Sequence, residues 1–214
     1  MNRRALLTGL ALLPLAPLAA HAQAPVALTP QDEADLARIT AYLNSIHTLK
    51  ARFLQIAPNG QQSEGTAWLD RPGRMRFQYD PPSPFLLVAG HGMLVFHDSA
   101  LDQTTNIPLG STPLGLLLGP TVRLQGGGST IIAFHHVTGV IQVSVIRTGR
   151  ADQGNLSLVF ADQPLALRRW ILVDPQRRET TVSLFDVQLG GTFPQDLFTY
   201  IDPKSLAPAG GSHG

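Results

Sequence analysis

Cysteine is absent from all 214 residues. The chain therefore makes no disulfide, and packing alone must hold its core together. A lipid anchor of the bacterial kind is excluded too, because acylation at a signal-peptide junction needs a cysteine. Charge is sparse, at 14% of residues with a formal net charge of +1. No basic block stands out, so there is no electrostatic footing for nucleic acid. Apolar runs long enough to consider as membrane spans are missing after the first two dozen residues. The short signatures of catalysis are missing as well: no G-x-S-x-G elbow, phosphate-binding loop or dinucleotide fingerprint occurs.

What remains of polar chemistry is thin. "GGGS" at 126–129 lacks the lysine that a phosphate cradle requires, and reads as a turn. His135 and His136 are neighbours in a strand-like run, where successive side chains point to opposite faces. His91 and His97 flank a hairpin with no carboxylate or thiol at ligand spacing. The expectation is a protein with no catalytic residue, no metal and no cofactor.

The first residues, "MNRRALLTGLALLPLAPLAAHAQ", pair two arginines with a proline-broken apolar run and the small-x-small triplet Ala20-His21-Ala22. This is the pattern of a secretory signal peptide, expected to be cleaved so that the mature chain begins at Gln23. Its loss removes two of the 16 basic residues, leaving 14 against 15 acidic ones and a near-neutral domain. The remaining length suits one domain, expected over 23–203, with a disordered tail over 204–214.

Along that domain one long helix is signalled first. Thr29 suits the N-cap, Pro30 the first helical position, and Asp32, Glu33 and Asp35 the positive helix start. Leu36, Ile39, Leu43 and Ile46 form one apolar stripe. Eleven short runs rich in β-branched and aromatic residues follow, from "ARFLQIA" to "TTVSLFDV", separated by turn signals such as Pro58-Asn59-Gly60 and Pro72-Gly73. That many strands joined by hairpins predict an antiparallel sheet curling into a barrel or sandwich. "STPLGLLLGP" at 111–120 interrupts them: Thr112 as N-cap and Pro113 at the first position predict a short apolar helix that must cover something greasy.

A hairpin through Pro72-Gly73 would set Trp68 beside Phe77, Thr66 beside Tyr79 and Asp70 beside Met75. That face is either packed core under the long helix or the lining of a ligand cavity. Arg74 and Arg76 would occupy a solvated outer face.

At these residues the chain resembles the periplasmic lipoprotein carrier family, the LolA proteins. "LNSIHTLKARFLQ" is similar to the family's helix end and first strand, and "GTAWLDRPGRMRFQYDPPSP" to its most recognisable block. "LLVAGHGMLVFHD", "PLGSTPLGLLL", "NLSLVFADQPLALRRWILVDPQRRETTVSLFDV" and "LFTYIDP" resemble the later hairpins, lid region and final strand. The resemblance implies a mainly β fold: a single-domain incomplete antiparallel β-barrel, one long N-terminal helix and a short helical lid over an apolar cavity. It implies that Trp68, Met75, Phe77, Tyr79, Leu86, Val88 and Phe96 line an acyl-chain cavity. Pro113, Leu114, Leu116, Leu117 and Leu118 would form the lid helix, latched by Arg71 through bonds to lid backbone. A solvated arginine at a hairpin corner is the plain alternative for Arg71.

The implied role is non-enzymatic. A soluble periplasmic monomer would take acylated lipoproteins from an inner-membrane ABC transporter and deliver them to an outer-membrane receptor. A same-fold carrier or sensor of another lipid, such as a glycolipid, is the rival reading, and a packed β-domain with no cavity is the plainest.

Overall fold

The computed structural model describes residues 26–202. The signal-peptide reading and the tail reading lie outside the described residues.

Helix α1 (Pro30–Ser45) opens on a full capping box: Asp32 N–H donates to Thr29 Oγ1, and Thr29 N–H donates back to the Asp32 carboxylate. Its predicted stripe is its buried face, with Leu36, Ile39, Leu43 and Ile46 all under 9% exposed.

The rest is one antiparallel sheet of eleven strands. β1 (Thr48–Ile56), β2 (Gln62–Asp70), β3 (Arg74–Tyr79), β4 (Phe85–Gly90), β5 (Met93–Asp98) and β6 (Gln103–Pro108) form the first half. β7 (Ser129–Val137), β8 (Val140–Arg147), β9 (Asn155–Ala161), β10 (Ala166–Val173) and β11 (Glu179–Leu189) form the second. The order is β6-β5-β4-β3-β2-β1-β11-β10-β9-β8-β7, so β1 pairs β11 and joins the two meanders. The sheet is not closed; its free edges are β6 and β7. These two strands are consecutive in sequence yet stand at opposite edges, so the connection between them has to cross the open concave face. That connection carries the short helix α2 (Gly115–Leu118).

Alternation decides what faces inward. Phe53, Ala67, Met75, Phe77 and Tyr79 on the first half, and Ile141, Val143, Leu156, Leu158 and Phe160 on the second, are buried at 8% exposure or less. Gly65 makes one close approach possible: a Cβ there would lie 2.6 Å from the Phe53 ring, so only glycine lets that ring lie flat across β2.

Four sequence expectations need correction. The β2–β3 register is shifted by one residue: Phe77 faces Ala67, Met75 faces Leu69, and Trp68 faces Arg76. The loop is Arg71-Pro72-Gly73 rather than the two residues assumed, and one added loop residue moves every pair to the other parity. Trp68 therefore shares the outer face with Lys50 and Arg76. The lid helix is shorter than expected. It starts at Gly115 with no side-chain cap, and Thr112 instead closes a 3-10 turn (Leu109–Ser111), its hydroxyl donating to the Leu109 carbonyl. The described residues of "LFTYIDP", 197–202, form no strand; they include part of a 3-10 turn, Gln195–Phe198, lying on the outside of the sheet.

Finally, Arg74 and Arg76 are not a free solvated face. Arg74 pairs with Asp70 at 2.8 Å and sits over the Phe198 ring at 5.8 Å, while Arg76 donates to the Leu197 carbonyl at 3.2 Å. Between them they strap the C-terminal segment to β3, and a bare Cα at Gly90 leaves room for the Phe198 carbonyl.

Candidate functional site

Between α1, the lid and the sheet lies an apolar cavity. α1 contributes Leu43 and Ile46; the lid contributes Leu114, Leu117 and Leu118; the sheet contributes Ala67, Met75, Phe77 and Trp170 among others. Arg71 stands at its margin. The room inside is ≈ 50 Å³, enough for a few waters but far below the roughly 300–1,000 Å³ of a ligand pocket. The lid's own leucines wall it, each of the three no more than 9% exposed. This is a closed arrangement.

The residues suggested for the cavity divide into three groups. Met75 and Phe77 line it; Trp68 borders it, although its register places it on the outer face. Tyr79 and Phe96 face inward but lie beyond the cavity in a continuous aromatic run. Trp170–Phe77, Phe77–Phe53, Phe53–Tyr79, Tyr79–Phe85 and Phe85–Phe96 all have centroids between 4.7 and 5.8 Å apart. Burial pushes the Tyr79 phenol up to about 12 despite its hydrogen bond to Gln55, so it stays neutral. Leu86 and Val88 pair with Gln78 and Arg76 and belong to the outer face, a correction that follows from the register. Val88 is buried there beside the C-terminal segment, with Phe198 and Tyr200. Of the lid residues, Leu114, Leu117 and Leu118 line the cavity; Pro113 and Leu116 do not. Pro113 precedes the helix, whereas Leu116 sits within it, partly buried against the core. Trp170, Leu43, Ile46 and Val122 line the cavity without having been singled out. The alternation of β10 and the apolar stripe of α1 were the signals that contained the first three.

Arg71 is anchored rather than solvated. Its Nη1 donates to the carbonyls of Leu43, at 2.5 Å, and Ile46, at 3.1 Å. Its Nε reaches the Gly119 carbonyl at 3.3 Å, and its Nη2 the Asn44 Oδ1 at 3.4 Å. The first pair has a plain cause. The last turn of α1 contains no basic residue, so its orphan carbonyls and negative dipole end are served by a cation from the β2–β3 loop. The Gly119 bond ties the same guanidinium to the residue just after the lid helix. The contact is therefore with the lid's exit, not with Leu114–Leu118 as expected. Leu118 is instead held by Gly73, whose N–H donates to its carbonyl at 2.7 Å. Burial pushes the Arg71 guanidinium down from its ordinary value, the direction expected where carbonyls rather than carboxylates surround it.

A second polar cluster fastens the other end of α1. Burial pushes the Asp35 carboxyl up, but bonds from Arg38, Gln31 and His136 outweigh this and hold it below its ordinary value. Arg38 also reaches Asp162 at 2.6 Å, and His136 Nδ1 meets Asp35 at 2.7 Å. Among the described residues no group of His, Cys, Asp and Glu is arranged to hold a metal.

Known proteins are similar to this chain over much of its length. The chain is 28% identical to an outer-membrane lipoprotein carrier protein from Azotobacter vinelandii, over 83% of this chain and 90% of the relative. It is 26% identical to one from Pseudomonas aeruginosa over 82% and 87%. A protein of the same name from Dechloromonas aromatica is 36% identical over about half of each chain, 49% and 50%. Among solved structures, a LolA superfamily protein from Nitrosomonas europaea aligns with a TM-score of 0.43 at 9% identity, over 77% of this chain and 97% of that one. A DUF1329 family protein from Desulfovibrio piger aligns with a TM-score of 0.48 at 9% identity, over 79% and 97%. Residues 44–201, which include Arg71, the lid and every strand of the sheet, match the family described as outer membrane lipoprotein carrier protein LolA, and the chain belongs to that family.

Proposed function

We propose that this protein is a periplasmic, monomeric carrier that shelters the acyl chains of lipoproteins. It would receive them from an inner-membrane ABC transporter and hand them to an outer-membrane receptor. The observation that carries the reading is the apolar cavity closed by a four-residue leucine lid and pinned at its exit by Arg71. Leaving one acyl chain of roughly fifteen CH₂ groups in water costs on the order of 12 kcal/mol, at ~0.8 kcal/mol per group. A lipoprotein with several chains needs a covered apolar site to cross an aqueous compartment. The closed cavity is too small for even one chain, so loading requires the lid to move away and leave its leucines' places to the guest. Walls made almost wholly of hydrocarbon bind a guest without supplying groups to react with it, which fits a carrier rather than an enzyme.

Arg71 gives the lid two states. Each charge-assisted bond contributes about 1.5–3 kcal/mol, enough to move a balanced equilibrium tenfold or more. The test is a two-step assay: release of lipoprotein from inner-membrane vesicles, then handover to receptor-bearing membranes. Arg71→Leu is expected to keep the first step and slow the second at least tenfold. Wild-type rates at both steps would remove the latch role. Failure of the wild-type protein to release any lipoprotein, with a glycolipid found by mass spectrometry of the purified material, would replace the cargo.

A further inference from the structure

The lid's exit is gripped at a second point, by a side chain from α1. Asn44 Oδ1 accepts from the Val122 N–H at 2.9 Å, and Asn44 Nδ2 donates to the Val122 carbonyl at 3.0 Å. This two-way pairing is what a neighbouring strand would offer, supplied here by one carboxamide. The remaining capacity is also used: Nδ2 donates to the Thr40 carbonyl at 2.9 Å, and Oδ1 accepts from Arg71 Nη2 at 3.4 Å. Two donors and two acceptor positions are thus filled. The orientation of the amide is fixed by its partners, since the reverse would set NH₂ against N–H and oxygen against two carbonyls.

Beyond this point the chain is secured. Val122 and Leu124 are each 1% exposed, and residues 123–125 run beside Leu36, Thr40 and Asn44 of α1. Before it, Gly119 depends on Arg71 and Leu118 on Gly73. Apart from the bond of Leu118 N–H to the Leu114 carbonyl within the lid, the hydrogen bonds described for segment 118–122 come from the β2–β3 loop and from Asn44.

We propose that Asn44 is a positioning residue that anchors the lid's exit hinge at Val122 and orients the Arg71 guanidinium. When the Arg71–Gly119 bond breaks, the lid then swings about a fixed point instead of detaching. This deepens the carrier reading and rests on it. A role confined to α1 predicts the opposite of a loss on substitution, because alanine is a better helix former than asparagine.

Amide hydrogen exchange on the empty, cargo-free protein tests it, with thermal melting alongside. In Asn44→Ala the Val122 amide should exchange ~10-fold faster or more, the loss expected for one hydrogen bond, while Ile39 and Phe160 amides keep wild-type rates. Asn44→Asp keeps an acceptor for Val122 N–H and for Arg71 but loses both donors, and should fall between. In Arg71→Leu the Leu117 and Leu118 amides should accelerate while Val122 stays protected. The proposal is overturned if Val122 is unchanged in Asn44→Ala, or if the acceleration spreads through the sheet or the fold collapses. It is equally overturned if Arg71→Leu frees Val122 as fully as Asn44→Ala does. Exchange is read without cargo, so these outcomes stay separate from failure of the vesicle assay, which bears on the carrier reading alone.

Discussion

The long helix α1 brings polar side chains of its own to its fastening, whereas the lid helix α2 brings none. α1 has a capping box, a buried apolar stripe and the Asp35–Arg38–His136–Asp162 cluster tying it to β7 and to the β9–β10 turn. α2 has four residues, begins at a glycine and lacks a side-chain cap. An isolated helix of that length has no stability of its own. Its place is kept by its leucines and by Arg71, Gly73 and Asn44 from other elements. Both helices cover the same concave face, yet only α1 is integral to it. A lid held in this way is expected to leave without taking the sheet apart.

The largest effect should come from placing the same charge on the two walls of the cavity. Phe77, 3% exposed, stacks on Phe53 and Trp170, so Phe77→Glu buries an unpaired carboxylate in the sheet. A loss of about 4 kcal/mol or more is expected. Leu117→Glu puts that charge on the lid, which can carry it out to water; the melting temperature should fall by only a few degrees, with an apolar dye gaining access to the cavity. Equal losses in the two variants would mean that the lid is as integral as the sheet.

Smaller, and specific to α1, is the effect of Asp35→Asn. At neutral pH it should cost about 1–3 kcal/mol, since three donors lose a charged acceptor. The folded-state value of Asp35 lies below its ordinary one, so the stability it contributes is present above about pH 4 and is lost as pH falls through the folded value. Denaturation curves of wild type and variant should therefore converge in acid. A gap that persisted at pH 2 would assign the loss to shape rather than charge.

The smallest change in stability is expected at the lid's first residue. A Cβ at Gly115 would meet the Leu109 carbonyl at 2.6 Å and the Arg147 guanidinium at 2.8 Å. Gly115→Ala should displace the lid and speed dye access while shifting the melting temperature by no more than about 2 °C, the equivalent of under ~1 kcal/mol in a chain this size. Unchanged dye access would show that the neighbours yield instead.

Features governed by local rules were legible in the sequence. Thr29-Pro30 with Asp32 marks the start of α1, its stripe marks its buried face, and all eleven strand runs lie where turn residues bracket them. Arg71 was legible only through the resemblance of its Arg71-Pro72 block to the carrier family; its own surroundings in the sequence fit a solvated hairpin corner equally well. What stayed hidden depends on one-residue offsets and distant partners. The loop length at Arg71–Gly73 decides which of Trp68 and Ala67 faces inward, and alternation alone cannot supply it. Leu86 and Val88 look as apolar as Leu87 and Ala89, yet parity turns them outward, where the C-terminal segment lies beside Val88. Asn44 gave no signal, because its partner Val122 is 78 residues away.

One consequence follows from the leucines seated in the cavity. On the proposed carrier reading, Leu114, Leu117 and Leu118 would act as a tethered competitor, held at the apolar cavity at a high effective concentration set by their covalent attachment. Burying three such side chains is worth roughly 5–9 kcal/mol, at about 1.5–3 kcal/mol each, against on the order of 12 kcal/mol for one acyl chain. An apolar guest therefore gains only the difference on entering. That difference is about 3–7 kcal/mol for one acyl chain, so displacing the leucines takes back a large part of what the guest's burial releases.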